Sequence, residues 1–71
     1  MKQELLEAVK AKHEAKALEA RVNINVYERS VGIGEHPDLV GAVEDQVKTY
    51  AESMEIIDAV TELLNHEQES F

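Results

Sequence analysis

Val40, Val43, Val47, Tyr50, Met54, Ile57, Thr61 and Leu64 follow one another at spacings that alternate between three and four residues. Only Thr61 interrupts the apolar character of this series. Residues at that period fall on one stripe of an α-helix, and an apolar stripe needs another helix to cover it. The second half of the chain is therefore expected to be one long helix packed against a partner helix.

Residues 2 to about 21 also read as helix, since Glu, Leu, Ala and Lys dominate and all are good helix formers. Ala8, Ala11, Ala15, Leu18 and Val22 repeat the same spacing with smaller members. The next stretch, VNINVY, reads two ways. Val22, Ile24 and Val26 alternate with Asn23 and Asn25, as in a strand, while Leu18, Val22 and Val26 keep helical spacing. A strand here would have to pair across a dimer. A helix continuing to about residue 30 would match the length of the second one, and that is the expectation adopted.

Gly32, Gly34 and Pro37 mark the connection. Glycine permits the positive φ at which helices stop, and proline suits the first turn of the next helix. Asp38 lies near that N-terminus, where a carboxylate complements the helix dipole. The expected fold is all-α: one small domain, 1–71, forming an antiparallel two-helix hairpin over about 2–30 and 37–65, with 66–71 as a frayed tail. Folding about residue 33 or 34 would set Leu18 against Val47, Ala15 against Tyr50, Ala11 against Met54 and Ala8 against Ile57. Small residues would then meet large ones at successive levels.

A 71-residue chain buries only about 60% of its unfolded surface, and with no cysteine it has no disulfide to compensate. Oligomerisation is the remaining common route to stability. Toward the open end the apolar stripe widens beyond what one partner helix covers. Leu6, Val9, Ile56, Val60 and Leu63 are expected to meet a second surface, giving either a homodimer that forms a four-helix bundle or a contact with another protein at this patch.

Charge is distributed unevenly. Residues 1–29 hold six Lys/Arg against five Asp/Glu, whereas residues 30–71 hold one against ten, within a net charge of −8. An acidic surface speaks against direct contact with nucleic acid, which requires cationic side chains. Asp45, Glu52, Glu55, Asp58 and Glu62 lie along the polar face of the second helix. Carboxylates on a rod can also imitate a phosphate backbone, so an acidic decoy for a nucleic-acid-binding host protein is the alternative functional expectation. Neither a signal peptide nor a membrane span is read, and a cytoplasmic setting is expected.

Little points to chemistry. Glu35, His36 and Asp38 stand together in GIGEHPD, but the glycines, proline and aspartate are accounted for by a turn and a helix start. His13 and His66 could approach each other across the open half of the hairpin. Glu62 and His66 are an i, i+4 pair without the second histidine of a zinc-protease motif. No catalytic triad or metal-ligand set assembles. The expectations are no catalytic residue, no metal and no cofactor, and a non-enzymatic protein–protein interaction or assembly module.

The segment NINVYERSVGIGEHPDLVGAVEDQV covers about a third of the chain. With Asn25, Val26 and Tyr27 followed by Val31 to Asp38, it resembles a family of very short, uncharacterised proteins of tailed phages, especially T4-like phages of marine bacteria and cyanobacteria. The resemblance implies a phage origin, action inside an infected host cell or in the virion, and a host or phage protein as partner.

Overall fold

The computed structural model describes residues 2–29 and 38–69. Helix α1 spans Lys2–Arg29 and helix α2 spans Leu39–Glu69, and the two pack against each other as an antiparallel hairpin. Gly32, Gly34, Glu35, His36 and Pro37 lie outside the described residues, so the turn expected there is not described.

Residues 22–27 are helical, which resolves the ambiguity of VNINVY. Ile24 and Tyr27 are half-buried one turn apart, and Asn23 donates from Nδ2 to Oε1 of Gln46 on α2 at 3.2 Å. The alternation of Val and Asn was thus local, and tertiary contacts hold the segment in helix. At the other end, α2 continues through Glu69, four residues beyond the expected end at residue 65.

Asp38 caps α2. The Gly41 N–H donates to Asp38 Oδ1 at 2.9 Å, and the Ala42 N–H donates to the Asp38 carbonyl at 3.1 Å. The side chain thereby satisfies a backbone donor that the first turn leaves open. The carboxylate folds so closely over Gly41 that a Cβ there would collide with it.

The inner face of α1 is formed by Leu6, Lys10, His13, Ala17, Ala20, Ile24 and Tyr27, all half-buried or buried. Their spacings are again three and four. The opposing residues of α2 are Leu39, Val43, Gln46, Tyr50, Ser53, Ile57, Val60 and Leu64. Four members of the expected α2 seam, Val43, Tyr50, Ile57 and Leu64, therefore do face α1. Val40, Val47 and Met54 do not, and are exposed. On α1 the expected column is displaced entirely: Ala8, Ala11, Ala15, Leu18 and Val22 are all exposed.

The Asn23–Gln46 bond also corrects the register. It sets Asn23 and Gln46 at about the same level, which puts Ala17 near the level of Ser53 and Ala20 near that of Tyr50. The pairings expected for Leu18, Ala15, Ala11 and Ala8 are offset from this by about one helical turn. Small side chains do line the contact, but they are Ala17, Ala20 and Ser53. Helices approach each other closely where the side chains between them are small.

Candidate interaction surface

The hairpin encloses very little. Among the described residues, Ala17, Ala20, Ser53 and Val60 are the buried ones, and Ser53 is only 1% exposed. Burying a valine contributes about 1.5–3 kcal/mol and an alanine less, against about 1–2 kcal/mol for ordering the backbone of each residue. The larger apolar side chains lie mostly outside this core. Leu5, Val9, Leu18, Val22, Val26, Val40, Val47, Met54 and Leu63 are all exposed.

These side chains form two faces on opposite sides of the hairpin. The first is a shallow trough along the groove between the helices. Ala17, Leu18, Tyr50, Met54 and Ile57 line its middle, with Glu14 and Arg21 at the rim. Tyr27, Leu39, Val40 and Val43 continue it toward the connection, with Glu28 at the rim. Val40 is 82% exposed, Leu18 59% and Val47 48%. The stretch of α2 from Val40 to Ile57 is about 25 Å long at the usual helical rise.

The second face is the open-end patch. Of the five residues expected to form an interface, Val9 and Leu63 are exposed there beside Leu5, with Ile56 half-buried at its edge. Val60 and Leu6 turn inward. Val60 is buried at 5% exposure and Leu6 is half-buried, because both occupy the inner column and pack within the hairpin. The expected patch is accordingly narrower and borders Leu5.

Shape agrees with this division. The chain measures 58 × 15 × 13 Å with a radius of gyration of 16.4 Å, where a compact domain of this length would have about 11 Å. Its accessible surface is 5670 Å², whereas a compact monomer of 8.0 kDa exposes about 4,450 Å². The excess is roughly 1,200 Å².

The charged side chains of α2 that were expected to form a polar face do so, with Asp45, Glu52, Glu55, Asp58 and Glu62 exposed. His13 and His66 are not brought together. His13 lies on the inner face near the level of Ile57, and His66 lies near the level of Glu4, roughly 15 Å further along the rod. The His13 Nδ1 atom is buried and has no hydrogen-bond partner. No group of three or more His, Asp or Glu side chains suited to a metal ion occurs among the described residues. Among the described residues, no helix is long and apolar enough to cross a membrane.

Comparison with protein-family models, curated proteins and solved structures found no match to this chain.

Proposed function

We propose that the chain is a non-enzymatic, phage-type interaction module that associates with itself and, in that form, serves assembly or engages a host or phage protein. Self-association is supported by one imbalance. Among the described residues the hairpin buries two alanines, a serine and a valine, yet it carries exposed Val, Leu and Met side chains on two faces. Contiguous apolar patches of this kind mark association surfaces in small proteins. The excess surface is also larger than the roughly 800 Å² that each partner contributes to a standard interface.

The test is the mass in solution by light scattering across concentration, at low and high salt. A dimer or larger species that persists in high salt is expected. A monomer throughout would overturn self-association and leave the apolar faces for a different protein.

The exposed carboxylates of α2 favour the acidic decoy as a second reading. It requires the chain to displace duplex DNA from a basic DNA-binding protein. That displacement should be lost on raising salt and on neutralising Glu52, Glu55 and Asp58.

A further inference from the structure

We infer that the trough between the helices is the surface on which a second copy of this chain sits, related by a two-fold axis crossing the hairpin near Leu18 and Ala51. The inference rests on the self-association proposed above and names the face that performs it. The open-end patch at Val9, Ile56 and Leu63 is then left outside this contact.

The trough meets the condition that a two-fold contact imposes. Such an interface must be complementary to itself, so that residue i meets j while j meets i. Glu14 and Arg21 stand on the same rim, one on either side of Ala17 and Leu18, and both are exposed. A two-fold axis through that midpoint, perpendicular to the helices, lays Glu14 over the partner's Arg21 and Arg21 over the partner's Glu14. On α2 the same operation brings Val47 toward the partner's Met54 and Met54 toward the partner's Val47, within about half a turn. Leu18 lies at the centre of the face. Acid meets base at Glu14 and Arg21 and apolar meets apolar beside them, while toward the ends the same operation sets Glu7 opposite the partner's Glu28, a like-charge pair about 16 Å from the axis.

The available area fits a second copy. The excess of roughly 1,200 Å² leaves room for the roughly 800 Å² per partner of a stable dimer. The pattern of α2 agrees. Its apolar residues fill the column Val43, Tyr50, Ile57 and Leu64, half of the column Leu39, Gln46, Ser53 and Val60, and also the adjoining column Val40, Val47 and Met54. Three adjoining columns are what a helix carries when it is packed on two sides in a bundle.

The experiment is a charge swap in the full chain, read as a dissociation constant by sedimentation equilibrium, with helix content monitored by circular dichroism. Glu14→Arg and Arg21→Glu each place like charges together at two symmetry-related points. Each should weaken association about tenfold. The double variant Glu14→Arg/Arg21→Glu should recover the parental constant to within about threefold, since both pairs are restored with reversed sign. Val47→Glu should disperse the dimer, and Leu63→Glu on the opposite face should leave it intact. An associated chain that ignores the single reversals, fails to recover in the double variant, or is dispersed by Leu63→Glu would overturn this interface while leaving self-association standing. A parental chain that is monomeric at every concentration would overturn both.

Discussion

Asn23 and Gln46, separated by 23 positions in sequence, join across the helix pair through a 3.2 Å side-chain hydrogen bond. This bond lies in a part-buried setting and ties the register of α1 to that of α2. A polar pair of this kind adds little net stability, but it penalises any sliding that would separate its members.

Removing one member should therefore cost more than removing both. Asn23→Ala should destabilise the chain by about 1 kcal/mol, because Gln46 is left without its donor. Asn23→Leu/Gln46→Leu should be closer to neutral. Urea denaturation at fixed protein concentration measures both, and a double variant less stable than the single one would contradict this account.

The alanines of α1 separate into an inner and an outer column, and the two should respond oppositely to enlargement. Ala20 is 1% exposed. Ala20→Leu should destabilise by about 1–3 kcal/mol through overpacking. Ala15 is exposed, and Ala15→Leu should change stability by no more than about 0.5 kcal/mol. Thermal melts of the two variants decide whether Ala20 or Ala15 faces α2.

The cap of α2 makes a sign prediction. Asp38→Ala should cost about 1 kcal/mol by removing the acceptor for the Gly41 N–H. Gly41→Ala gains about 1 kcal/mol of helix propensity, but its Cβ displaces the Asp38 carboxylate. The two effects should nearly cancel. Once Asp38 is already alanine, Gly41→Ala should become stabilising by about 1 kcal/mol. A double-mutant cycle read by urea midpoint shows this coupling directly.

His13 supplies a fourth test. Its Nδ1 is buried without a partner, so His13→Leu should stabilise the hairpin by about 1–2 kcal/mol. A loss of stability at neutral pH would mean that the imidazole makes a favourable interaction in solution.

How far the fold could be read in the sequence is visible in these same residues. The heptad period correctly announced two helices, and Val43, Tyr50, Ile57 and Leu64 were rightly placed against α1. The direction of the stripe was not legible. Periodicity ranks columns by apolar content, and the column Leu39, Gln46, Ser53 and Val60 contains two polar residues, so Val40, Val47 and Met54 outranked it. The same bias on α1 preferred Ala8, Ala11, Ala15, Leu18 and Val22 over a column holding Lys10 and His13. What decides the contact is the close fit of Ala17, Ala20 and Ser53 and the pairing of Asn23 with Gln46, and neither leaves a hydrophobic signature. Of the residues expected at an interface, Val9 and Leu63 are exposed and Ile56 is half-buried, whereas the trough is visible only once the phase of both helices is known.

Three of the four buried positions among the described residues, Ala17, Ala20 and Ser53, lie near mid-length of the two helices, and the fourth, Val60, lies toward the open end. The hairpin is therefore pinned at its waist, and opening should begin away from it. Amide protons on the inner face at mid-length should be the last to exchange with solvent, and protection should decline toward Lys2 on one side and Arg29 on the other.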